Sequence, residues 1–208
     1  AMKAVKNPTE LKGMRNAHLR DGVALTKFLF WLSKNYKGKT EAEVAEKLLA
    51  FRKKELNFYS ESFAAIAGFG AHAAVVHYHA DEKNAAVLKK NSVLLLDSGG
   101  QYYDGTTDVT RTIALGEPSA DMIEKNTLVL KAHIALASAV FPQQTSGSEL
   151  DLIARQPLLK QGLDYEHGTG HGVGFFSDVH EGPARISVHA KNSVPLAAGM
   201  SPTHLALL

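Results

Sequence analysis

Two sets of residues have the types and spacing to do chemistry. The first is Asp97 and Asp108, which flank Tyr102-Tyr103 symmetrically in a stretch with turn signals and β-branched residues. A hairpin centred on the two tyrosines sets the aspartates opposite each other, where Cβ atoms lie about 4.5–5.5 Å apart. Two carboxylates so placed in an apolar sheet repel and lose solvation unless one takes a proton or a cation sits between them. Two cations could be bridged in the same way. The spacing serves a blander arrangement equally well, with one aspartate capping a turn and the other facing water.

The second set is His167-Gly-Thr-Gly-His171-Gly-Val-Gly, followed by His180-Glu-Gly-Pro. Four glycines in eight residues permit close backbone approach and would weaken an ordinary strand. A histidine held there can offer one ring nitrogen to a metal while a neighbour orients the other. One histidine alone is more often a packing or surface residue; three within fourteen residues favour a site. A phosphate cradle is disfavoured, because no Walker lysine follows and no strand–glycine–helix context is present.

The elements that must position these groups read as follows. Asn7-Pro8 with Glu10 starts a helix whose stripe (Leu11, Met14, His18, Leu25, Leu29, Leu32) runs to about Asn35-Tyr36. Thr40 to Glu43 is a capping box that opens a second helix ending near Lys54. Between Phe63 and Tyr78 the pattern predicts strands joined by a tight glycine-rich turn. Val93 to Leu96 is a buried strand, and Thr106 to Leu115 returns as the other arm of a hairpin. Helices are expected over Asp121–Ala139 and Ser148–Lys160, with Pro157 kinking or shortening the latter. Short strands and loops fill the rest. No repeat or linker divides the chain, which reads as one α+β domain over residues 1–208.

Composition narrows the function classes. Lys+Arg 23 against Asp+Glu 21 leaves a formal charge of +2, which is no basic footprint for nucleic acid. Zero cysteines exclude disulfides, thiolate metal sites and a cysteine nucleophile. No apolar run is long enough to span a membrane. A cytoplasmic location is expected. His18 and His133 fall in helix patterns and read as packing or surface residues, while His72, His79, His189 and His204 lack motif support.

The segment Asp97-Ser-Gly-Gly-Gln-Tyr-Tyr-Asp-Gly-Thr-Thr-Asp108-Val-Thr-Arg111-Thr resembles the metal-binding hairpin of Xaa-Pro aminopeptidases (aminopeptidase P), within metallopeptidase family M24. The two histidine segments, and Val75-Val76-His77-Tyr78, are similar to motifs of the same family. The resemblance implies a pita-bread α+β fold with a curved antiparallel sheet and two divalent metals, most often manganese. Asp97, Asp108 and His171 would be metal ligands, Asp108 bridging. His77 and His180 would act beside the scissile bond, and His167 would shape the substrate pocket. The implied substrate is a peptide with proline in second position, cleaved before the proline by water activated at the metals.

The pattern departs after Gly199-Met200, where Ser201-Pro202-Thr203-His204-Leu205 replaces the family's glutamate-bearing segment. Leu205 stands at the first glutamate and no residue stands for the second, so the fold is expected to be C-terminally incomplete. The resemblance likewise leads us to expect the family's N-terminal domain to be missing. Weak metal binding and little or no peptidase activity follow, with a non-catalytic pita-bread domain that binds peptides or proteins as the alternative. An unpaired sheet edge, with Leu205 to Leu208 available to patch it, predicts a homo-dimer or higher oligomer.

Overall fold

A computed structural model of the chain describes residues 2–81, 83–190 and 194–204. Helix α1 spans Pro8–Asn35 and begins as its sequence dictates. Asn7 Oδ1 accepts from the Glu10 amide at 2.9 Å, and the Glu10 carboxylate accepts from the Asn7 amide at 2.8 Å. Thr40 and Glu43 repeat this device ahead of α2, Glu41–Arg52. Leu25, Phe28 and Leu32 of α1 meet Val44 and Leu48 of α2 over a layer of Leu88, Leu94, Leu96 and Leu115.

Below the helices the strands pair antiparallel throughout. They are β1 (Phe58–Glu61), β2 (Ile66–Phe69), β3 (Ser92–Ser98), β4 (Gly100–Tyr102), β5 (Gly105–Thr106), β6 (Val109–Leu115), β7 (Gly170–Gly172), β8 (Glu181–Ile186) and β9 (Pro202–His204). Among the described residues they form three three-stranded sheets, in the orders β1-β4-β5, β2-β3-β6 and β8-β7-β9. Two further helices, α3 (Ala120–Ala137) and α4 (Gly147–Leu159), pack on each other through Leu128, Ala132 and Leu158.

The Asp21–Arg52 ion pair ties α1, α2 and β4 together. Its side chains are almost wholly buried, with Nε–Oδ1 at 2.7 Å, Nη2–Oδ2 at 3.0 Å, and the Tyr102 hydroxyl donating to Oδ1 at 2.9 Å.

Three expectations are corrected. The hairpin turns at Tyr103-Asp104, because Tyr102 pairs with Gly105. Arg20 of α1 grips Asp104 and draws it into the turn, while Gly105 lies directly against Met14 and Ala17. Asp97 therefore pairs with Thr110, two places from Asp108. A displacement of two keeps both aspartates on one face, so they are diagonal and not opposite. After β2 the chain makes a 3₁₀ turn over Gly70–Ala74 and no second strand. There the Phe69 amide is taken by a buried side chain, Glu41, instead of a neighbouring strand. Finally, Pro157 does not shorten α4, which continues to Leu159 with the fully buried Leu158 holding its last turn in the core. The tail Leu205 to Leu208 lies outside the described residues.

Candidate metal centre

Asp97 sits near the end of β3, and Asp108 immediately precedes β6. The register that puts them on one face also turns them toward β7, where His171 lies. Gly172, next along β7, has no room for a Cβ because the Glu181 carbonyl occupies that space. This close approach seats β7 against β8 and brings His180 beside His171, the two rings edge-to-face with centroids 4.1 Å apart.

All six residues singled out from the sequence line one cavity of about 760 Å³: Asp97, Asp108, His171, His77, His180 and His167. Asp97 is 8% exposed and accepts a hydrogen bond from the Thr110 hydroxyl at 2.8 Å. Burial raises its pKa from an ordinary 3.8 to about 6; the Thr110 bond works against this, and the negative charge of Asp108 adds to it. Burial, and then the neighbouring His171, lower the pKa of His180, so its ring is neutral near pH 7.

His171 carries the most diagnostic geometry. Its Nδ1 lies 3.0 Å from the Gly172 carbonyl oxygen, which can only accept, so Nδ1 bears the proton. The other ring nitrogen, Nε2, faces Asp108 Oδ2 at 3.3 Å. A lone pair facing a carboxylate is repulsive unless a proton or a cation lies between them. The donor types, carboxylate oxygen and imidazole nitrogen, therefore suit a divalent cation such as manganese or zinc. Their gathering is looser than expected. Among the described residues, no three His, Asp or Glu side chains converge tightly enough to hold an ion as they stand. Thr110 engages Asp97 and His171 engages Asp108, so each carboxylate leans toward its own neighbour.

Other elements set the rim. Asp151 of α4 is fully buried; it accepts from the Thr169 hydroxyl, from the Val188 amide at 2.7 Å and from Arg155 Nε at 2.9 Å. Arg155 in turn donates to the His167 carbonyl at 2.9 Å and lies over the Tyr165 ring, which stacks on His167. His77 is exposed, on the excursion between β2 and β3.

Sequence reasoning missed several lining residues. His79 and His189 also face this cavity. So does Arg185, which pairs with His171 across β7–β8 and hence shares its face. His18 and His133, read as packing or surface residues, border a smaller cavity of about 240 Å³ that shares Asp108.

The model of metallopeptidase family M24 matches residues 12–203. The chain belongs to metallopeptidase family M24. It is 50% identical over 202 residues to the probable Xaa-Pro aminopeptidase P of Paracoccidioides brasiliensis (strain Pb03), covering 95% of this chain and 33% of that protein. Similarity to aminopeptidase P2 of Arabidopsis thaliana is also 50%, over 95% of this chain and 28% of that one. The chain thus spans about a third of the length of the curated relatives it matches. Its structure superposes on X-prolyl aminopeptidase from Caenorhabditis elegans, described as a cytosolic enzyme with a di-nuclear active site, with a TM-score of 0.92 and 48% identity. That match covers 97% of this chain and 33% of the nematode chain. X-Pro aminopeptidase from Thermotoga maritima gives a TM-score of 0.83 at 28% identity, over 97% and 54% of the two chains. The M24 chain accordingly has the pita-bread arrangement of helices over antiparallel sheets.

Proposed function

We propose that this M24 chain is the metal-binding part of an Xaa-Pro aminopeptidase, acting on peptides with proline in second position. The observation that carries the reading is the gathering of two carboxylates, buried Asp97 and Asp108, with the His171 imidazole on one cavity, His171 Nε2 lying 3.3 Å from Asp108 Oδ2. Asp97, Asp108 and His171 would hold divalent metal, manganese by preference, and a bound metal would supply Lewis acidity toward the peptide carbonyl and an acidified water. The chain's own side chains do the remaining work. Neutral His180 donates an N–H to charge developing on the carbonyl oxygen. His77, which also lines the cavity, donates a proton to the leaving amine. His167, stacked on Tyr165, bounds the space for the substrate. The cytosolic setting of the nematode relative supports a cytoplasmic location. Edge strands β6 and β9 terminate their sheets among the described residues, which supports a homo-dimer or higher oligomer.

The 208-residue polypeptide by itself is proposed to bind metal weakly and to be catalytically silent. Two carboxylates and one imidazole neutralise only part of the charge of two divalent ions. Manganese titration followed by electron paramagnetic resonance tests the site. Weak binding is expected, and it should be lost in Asp108→Ala and His171→Ala; binding unaffected by both changes would remove the reading. Release of the first residue from a Gly-Pro peptide by manganese-loaded protein, with Asp97→Ala inactive, would refute silence while leaving the family reading intact.

A further inference from the structure

Glu41 is the first residue of α2 and is fully buried. A buried carboxylate is costly unless its oxygens are saturated with donors. Here they are. Oε1 accepts from the Phe69 amide at 2.6 Å and lies 3.0 Å from His72 Nδ1. Oε2 accepts from the Tyr78 hydroxyl at 2.7 Å and from the Ala86 amide at 2.7 Å. None of these donors belongs to α2. All four lie at or between the ends of one excursion of the chain, from Phe69 to Ala86, which leaves the β2–β3 sheet and returns.

Among the described residues the other side-chain bonds of the excursion are local, such as Asp81 Oδ1 accepting from the Lys83 and Asn84 amides and Asn84 Nδ2 donating to the His79 carbonyl. Its regular structure among the described residues is the turn Gly70–Ala74, and Val75, Val76 and His77 are exposed. Glu41 fastens its two ends through Phe69 and Ala86, and its middle through His72 and Tyr78. These last two rings also stack, with centroids 4.4 Å apart. Tyr78 directly follows His77. With Tyr78 buried at the carboxylate, the backbone of its neighbour is fixed in place at the wall of the cavity that contains Asp97 and His171.

We propose that Glu41 is the positioning residue for His77: one buried carboxylate, remote from the metal ligands, sets where the His77 wall of the cavity stands. The inference rests on His77 belonging to the working site, but its geometry is independent of that role. Glu41→Gln is the sharp perturbation. It keeps the shape but turns an NH₂ toward two donors, so one side of the clamp must open.

The test uses the full chain and two readouts, amide hydrogen exchange and the assigned imidazole resonance of His77. In Glu41→Gln, with far-UV circular dichroism unchanged, amides across 70–86 should exchange at least ~10-fold faster, while those of α1 and β3 keep their protection. The His77 resonance should move toward that of a free histidine. Tyr78→Phe removes a single donor and should give a smaller change of the same kind; added to Glu41→Gln it should do little more, because the two act through one clamp. If Glu41→Gln does not fold, Tyr78→Phe decides the matter alone. Unchanged exchange and an unchanged His77 resonance would overturn the proposal, as would loosening spread evenly over the chain. Neither readout involves metal or substrate, so failure of the aminopeptidase reading would appear in the manganese titration and not here.

Discussion

Asp97→Asn in the metal-free protein probes the energetics of the site most directly. The Asp97 carboxyl has a pKa of about 6 in the folded chain against an ordinary 3.8, chiefly through burial. A carboxyl whose pKa is raised by folding favours the folded state while protonated. Its contribution is complete below about pH 4 and is lost as pH rises through 6. A rise of about two pH units corresponds to ~3 kcal/mol, so above pH 7 the metal-free chain carries a penalty of that order at this one residue. Asparagine cannot ionise, is nearly isosteric, and can still accept the Thr110 hydrogen bond. Asp97→Asn should therefore unfold with nearly the wild-type midpoint at pH 4. At pH 7.5 in chelator it should be more stable by up to ~3 kcal/mol, or roughly 6–12 °C in Tm for a chain of this size. Thermal and urea unfolding of both proteins between pH 4 and 8 give the difference curve, in which other titrating groups cancel. A mutant no more stable than wild type at pH 7.5, or a difference that does not grow between pH 4 and 6.5, would show that Asp97 is not a strained carboxylate. Stability gained on neutralising a residue is the signature of a group kept for a ligand and not for the fold.

Two further outcomes are expected. Asp21→Ala leaves the Arg52 guanidinium buried without its partner and should cost ~3–5 kcal/mol in urea unfolding, whereas Asp21→Leu with Arg52→Met should recover most of the loss; equal losses in the single and double variants would contradict this. Gly172→Ala drives a Cβ into the Glu181 carbonyl and should destabilise by ~1–3 kcal/mol while separating His171 from His180, read by calorimetry together with loss of manganese binding.

Local physics determined much of this protein from sequence alone. The capping boxes at Asn7 and Thr40 set two helix starts, because their donors and acceptors lie within four residues of one another. The apolar run around Leu94 to Leu96 required a buried strand, and the aspartate and histidine–glycine motifs marked the residues that now line one cavity. Membership of M24 was legible in the same motifs. Tertiary contacts decided the rest. The hairpin turns at Tyr103-Asp104, where Arg20 reaches Asp104 from a helix 84 residues earlier, a contact that hairpin symmetry does not contain. After β2 the chain turns into a 3₁₀ helix, and the amide of Phe69 at the end of β2 is taken by Glu41, 28 residues earlier, a partner no local pattern names. Arg185 entered the cavity only through its pairing with His171. Spacing along a chain specifies which groups can meet on one element. Which groups from different elements compete for the same buried donor, or share the same face, is settled only when the elements pack.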